Sequence, residues 1–132
     1  REKDFYGTSN KNRNAMTTDG TARIMEEIMQ NISFNEKNIN LKNCLFREIK
    51  EQSQDKDANN QINGFLGEGL PQNIPFWSKA GLMSEARNDA AWWINKNQSK
   101  TLLVVFTEGK EFANDNNFLP EFSKAIYEFI HS

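Results

Sequence analysis

Lys79 and Gly81 stand a short turn away from Arg87, Asn88 and Asp89, with an expected strand on either side of that turn. Cations, backbone N–H groups and the aromatic pair Trp92-Trp93 converge here as nowhere else in the sequence. Fixed donors and positive charge stabilise anionic charge, so the set suits a carboxylate-bearing ligand or an oxygen that turns negative during a reaction. A nucleophile does not accompany it. Ser53-Gln54-Asp55-Lys56 has the S-x-x-K spacing, but it lies in a stretch of charged and amide residues, and so loose a pattern arises by chance.

Other reactive types are sparse. Glu26, Glu27, Glu48 and Glu51 read as solvated helix charges. Cys44 is the single cysteine, which excludes an internal disulfide and a Cys-rich metal site. Beside Leu41, Leu45 and Ile49 it reads as a buried small hydrophobe. His131 is the single histidine, at a helix C-terminus where a partly charged imidazole suits the dipole. Neither a metal nor a cofactor is expected. The net charge of −2, with acids and bases interleaved, gives no basic footprint for nucleic acid or an anionic membrane. No run reaches the length of a membrane span and no signal peptide opens the chain. The chain starts at Arg1 inside a loop-like segment, so a cut or processed piece of a longer protein is expected.

The elements that must position Lys79 and Arg87 follow from periodicity. At 132 residues the chain is one domain or part of one. Residues 1–16 read as loop or tail, 17–61 as the helical part, and 62–132 as sheet plus a C-terminal helix. Met25, Ile28, Met29 and Ile32 give one apolar helix face over 18–31, with Thr17, Thr18 and Asp19 as N-cap candidates. Leu41, Leu45 and Ile49, four apart, predict a second helix. Residues 50–61 read as a mobile polar loop, and 62–71, with three glycines and a proline, as turns.

Three strands are expected, at 75–81, 88–95 and 101–106, and Phe122, Ile126, Phe129 and Ile130 mark a closing helix. The predicted fold is α+β: a three-stranded antiparallel meander crossed by the C-terminal helix, with helices before it. Trp92 and Trp93 point to opposite faces, one into the core and one under a helix. The last strand is apolar on both faces but has only one neighbour. Its open edge calls for another chain or for strands outside this piece.

Leu70-Pro71, six residues, then Ser78-Lys79-Ala80-Gly81 and Arg87-Asn88-Asp89 resemble the K-[ST]-G region of class A β-lactamases. The apolar strand 102–106, the Thr107-Glu108-Gly109 turn and the last helix resemble the end of that fold, and Asn14-Ala15-Met16-Thr17-Thr18 resembles the start of the helix after its Ω loop. The resemblance covers the C-terminal half of the family's catalytic domain. It implies a penicillin-recognising serine hydrolase that acts on an amide, lactam or ester through an acyl-enzyme. The nucleophile and general base would lie upstream of Arg1, leaving this chain inactive alone.

On this resemblance Lys79 matches the lysine that holds the substrate carboxylate. The Leu82 N–H matches half of an oxyanion hole, where one donor is worth about 3 kcal/mol. Arg87 lies near a carboxylate-binding arginine, and Ala80 and Gly81 complete the substrate-binding set. Ala80 departs from the usual Ser or Thr hydroxyl, which puts lactam hydrolysis itself in question. The resemblance also implies that the N-terminal half of the same protein, or a second copy, pairs at the last strand, and that the protein is exported or periplasmic. Two alternatives stand beside it: a degenerate hydrolase-like binding or scaffold protein, and an independent three-stranded domain.

Overall fold

The structure, a computed structural model, describes residues 15–30, 41–57 and 60–132. Helix α1 (Thr18–Gln30) begins where Thr17 Oγ1 accepts the Gly20 N–H at 3.0 Å. That bond satisfies one of the amides a helix start leaves without a partner. Met25 and Met29 are buried on its inner face, as their spacing predicts, while Asn31 and Ile32 lie outside the described residues.

The expected second helix is split. Helix α2 (Leu41–Leu45) ends in a two-residue strand, β1 (Phe46–Arg47), and a single turn, α3 (Ile49–Gln52), follows. The four-residue spacing of Leu41, Leu45 and Ile49 is helical, but Phe46 leaves the helix to pack edge-on against Trp77, centroids 5.5 Å apart. An aromatic pair across neighbouring strands outweighs one more helical turn. Cys44, expected to be buried, is exposed as a result.

The sheet therefore has four strands where three were expected. β2 (Phe76–Met83), β3 (Ala86–Ile94) and β4 (Lys100–Val105) form the meander, and β1 adds to the free side of β2 through Phe46↔Trp77 and Arg47↔Phe76. A two-residue strand carries no periodicity, so the sequence pattern could not show it. Residues 95–99 close the β3–β4 turn. There Asn95, almost fully buried, accepts Trp93 Nε1–H at 2.8 Å and donates to Ser99 Oγ and Thr101 Oγ1.

Both sheet faces are covered, as the apolar β4 predicts. On one, Phe76, Ala80, Ala91 and Trp93, with Leu103 and Val105, pack against Ile62, Leu66, Leu70 and Leu119. The other face packs Trp77, Ala90 and Trp92, with Leu102 and Val104, against Met25 and Met29 of α1. The adjacent tryptophans thus fill separate cores.

A short helix, α4 (Lys110–Asn114), precedes the closing helix α5 (Phe118–Ile130). The inward stripe of α5 is Leu119 and Ser123, with Ile126 and Tyr127 partly buried; Phe122, Phe129 and Ile130 are exposed, Phe129 by 79%. The expected stripe was thus rotated, because Ser123 faces inward: its Oγ–H donates to the Leu66 carbonyl at 2.7 Å. A hydroxyl that satisfies a buried carbonyl belongs inside the core although its type reads as surface. Among the described residues β3 is the only strand beside β4, and no helix is long and apolar enough to cross a membrane.

Candidate active site

Side chains alternate along β2, and this sorts the Ser78-Lys79-Ala80-Gly81 segment. Ser78 and Ala80 are buried beneath the sheet, whereas Lys79 and Gly81 are exposed on the opposite face. That is the face on which α1 packs. Lys79 Nζ folds back to donate to the Ala80 carbonyl, which holds the ammonium at the strand's edge. A Cβ built on Gly81 would meet nothing within 4 Å, so the space above it is open to a ligand.

The hydrogen-bond parity of the ladder locates the Leu82 donor. In an antiparallel pair, alternate residues direct N–H and C=O away from their partner. Ala80 does so: its N–H donates outward to Gln61 Oε1 at 3.1 Å. Arg87, opposite Leu82, turns both backbone groups the other way, its N–H donating to Thr107 Oγ1 at 3.0 Å and its carbonyl accepting that hydroxyl at 2.7 Å. Leu82 is thus an outward-pointing pair member as well. Its N–H emerges on the free edge beyond Gln61, two residues past Ala80. One backbone donor and one ammonium therefore share an edge that, among the described residues, no strand covers beyond Trp77.

Arg87 does not join them. Its side chain is 5% exposed on the opposite face, where it donates to the carbonyls of Gly64 and Ala113, both at 3.0 Å, and to Asn116 Oδ1 at 2.7 Å. The guanidinium lies over the Phe65 ring, 5.1 Å from its centroid. Burial pulls its pKa below the usual arginine value, opposed by the Asp115 charge. Gly64 has φ +77°, and a Cβ there would lie 2.5 Å from Arg87 Nη1, so only glycine fits under this clamp. Arg87 is a tether between loops, and the structure does not bring it to Lys79.

Asn88 accepts the Thr107 N–H at 2.9 Å and secures the start of β3. Asp89, opposite Ala80, is 1% exposed; one oxygen accepts the Leu66 N–H at 3.1 Å, and the other has no partner among the described residues. Burial pushes its pKa from 3.8 to about 7, against the pull of the Leu66 and Ala90 amides and the charges of Lys79 and Arg47.

Two residues at this edge had no sequence signal. Gln61 plugs the ladder position beyond β1, and Arg47 Nη2 donates to the same Gln61 oxygen at 3.4 Å. One amide in a polar stretch and one arginine after a helix look like ordinary surface. Ser53, in the S-x-x-K match, spends its hydroxyl on the Lys50 carbonyl at 3.0 Å. No described serine hydroxyl is bonded to a lysine, histidine or carboxylate side chain.

The sequence profile of the β-lactamase enzyme family matches residues 2–130. The chain belongs to that family. No match was found among curated proteins. Among the described residues, the β2 edge beyond Gln61 brings the Lys79 ammonium close to the open space over Gly81.

Proposed function

We propose that this chain forms one wall of the cleft of a β-lactamase-like serine hydrolase, akin to class A enzymes, that cleaves an amide, lactam or ester through an acyl-enzyme. The observation that carries this reading is the outward Leu82 N–H beside Lys79 on a strand edge whose earlier donor, Ala80 N–H, is already occupied by Gln61. In the mechanism proposed, a serine from outside residues 1–132 attacks the carbonyl carbon. The carbonyl oxygen takes up negative charge and is held by the Leu82 N–H, and the Lys79 ammonium orients an anionic group on the substrate. Collapse expels the leaving group, and water later releases the acyl chain. The same arrangement gives β4 a role: its outer edge receives a further strand, from the same protein or from a second copy.

A degenerate binding or scaffold protein is the second reading, favoured by Ala80, which offers no hydroxyl, and by the burial of Arg87 away from Lys79. Intact mass after incubation with a penicillin, together with hydrolysis of a chromogenic cephalosporin, separates the two. Expected for the hydrolase are no mass gain by the 132-residue chain alone, and an acyl adduct on the protein extended by its preceding gene sequence. Lys79→Ala should lower kcat/KM about 100-fold. Turnover untouched by Lys79→Ala refutes the assignment of the edge, and the absence of any adduct favours the scaffold.

A further inference from the structure

Beneath β2 and β3, two buried oxygens have no partner among the described residues: Ser78 Oγ and Asp89 Oδ1, on side chains 0% and 1% exposed. The ladder register places them together. Ser78 stands opposite Ala91 and Ala80 opposite Asp89, so Ser78 and Asp89 occupy diagonal positions on one face of adjacent strands. Diagonal Cβ atoms lie somewhat under about 7–8 Å apart. A hydroxyl and a carboxyl group close that gap directly or through one bridging water. Each group left alone in a core is costly, and each supplies what the other lacks.

The hydroxyl suits both protonation states of the acid. Ser78 accepts from the un-ionised carboxyl group and, with its O–H turned round, donates to the carboxylate. The bond to the charged form is the stronger one. The other Asp89 oxygen accepts the Leu66 N–H at 3.1 Å. The charges that act on Asp89 are those of Lys79 on β2 and Arg47 on β1, and both favour the ionised form. Arg87, two residues earlier on β3, is engaged by Gly64, Ala113 and Asn116, and Asp115 acts on Arg87. Glu68, on the turn that Asp89 holds, accepts the Gly64 N–H at 2.5 Å. The inward residues of the other neighbours, Val105 on β4, Ala113 on α4, and Leu119 and Ser123 on α5, carry no charge.

We propose that Asp89 and Ser78 form a proton-sensitive switch behind the β2 edge, which sets how strongly Lys79 attracts an anionic group. With the carboxyl group neutral, the Lys79 ammonium acts on a ligand at full strength. Once ionised, Asp89 places an anion opposite Ala80, on the far side of β2 from the ammonium, and offsets part of that attraction. The coupling is reciprocal. Lys79 favours the ionised acid, so an anion bound to Lys79 favours the un-ionised one. Burial pushes the Asp89 pKa up to about 7, which sets the working range near neutrality: anions bind better below that pH and more weakly above it. The use of the switch in turnover rests on the reading of the edge as a cleft wall; the pairing of Asp89 with Ser78 and its coupling to Lys79 do not.

The test follows the carboxyl ¹³C shift of Asp89 against pH in the 132-residue chain, as wild type, Ser78→Ala, Lys79→Met and Lys79→Arg. Ser78→Ala removes the donor that favours the carboxylate and should raise the midpoint by about one pH unit. Lys79→Met should raise it by about half a unit, and Lys79→Arg should restore the wild-type value. Lys79 is exposed, so its variants decide the coupling even if Ser78→Ala perturbs folding. A midpoint unmoved by Ser78→Ala in a folded protein shows that the two side chains are not bonded. One unmoved by Lys79→Met shows that the acid does not reach the edge. Either result overturns the switch. In the protein extended by its preceding gene sequence, KM for an anionic substrate should rise as pH passes the Asp89 midpoint, and Asp89→Asn should flatten that rise. A KM profile that Asp89→Asn leaves unchanged also overturns the switch. Both midpoint shifts without any turnover sink the hydrolase reading alone and keep the switch.

Discussion

Asp89→Asn probes the least comfortable group in the fold. Asp89 is 1% exposed with one oxygen unpartnered among the described residues, and burial raises its pKa from 3.8 to about 7. Between those values the folded chain keeps a proton that the unfolded chain has released, so stability falls as pH rises through that window and is flat above it. The gap amounts to about 4 kcal/mol at 1.36 kcal/mol per pH unit. Asparagine keeps an acceptor for the Leu66 N–H but cannot ionise, so this pH-dependent loss disappears. Its buried NH2 group brings a pH-independent penalty of about 1–3 kcal/mol. The readout is therefore the difference in unfolding free energy between variant and wild type, measured by urea titration at several pH values.

Emission from the buried Trp77, Trp92 and Trp93 reports the transition. The difference should move by about 4 kcal/mol in favour of the variant from pH 4 to pH 8. Parallel curves for the two proteins would show that Asp89 titrates near its ordinary value, and the burial argument would be wrong.

Gly69→Ala should destabilise the fold by about 2 kcal/mol or more, because the added Cβ would lie 1.9 Å from the Pro120 carbonyl oxygen, a backbone atom that cannot swing aside; thermal denaturation checks this. Leu119→Ala should cost about 2–5 kcal/mol as a fully buried leucine. Phe129→Ala, at 79% exposure, should stay within about 0.5 kcal/mol; a reversed order in urea melts would restore the helix face expected from the sequence. Arg87→Met should cost at least about 3 kcal/mol, since the Gly64 and Ala113 carbonyls and Asn116 lose a charged donor. Amide exchange should then accelerate first in residues 62–70 and 110–116.

Much of the architecture was legible because it rests on strong periodicity. Met25 and Met29 repeat at helical spacing, and β4 carries apolar side chains on both faces from Leu102 to Val105. What escaped were the places where one contact overrides a pattern. Phe46 abandons a helix for Trp77, and Ser123 turns inward to serve the Leu66 carbonyl. At the candidate site, Lys79 is exposed on β2 beside the buried Ala80, as the alternation of a strand requires. Arg87 could not be placed, because a charged residue near a turn reads as exposed, and nothing in the sequence reveals the three acceptors that bury it. Gln61 and Arg47 act through position alone, which one chain's residue types do not disclose.

The pairing of Arg87 with Thr107 on one side of β3 sets a rule for insertions and deletions. Arg87 turns its backbone groups away from β2, so the β2 residue that stands opposite it is the one whose amide faces outward. One residue added to the Ser84-Glu85 turn that shifted the pairing would turn the Leu82 N–H inward and carry Lys79 to the buried face. Length changes in this hairpin are then tolerable in twos, unless a bulge absorbs the odd residue. Screens of loop variants, and natural drift in the turn, should show that two-step rhythm even where the turn's own residue types vary freely.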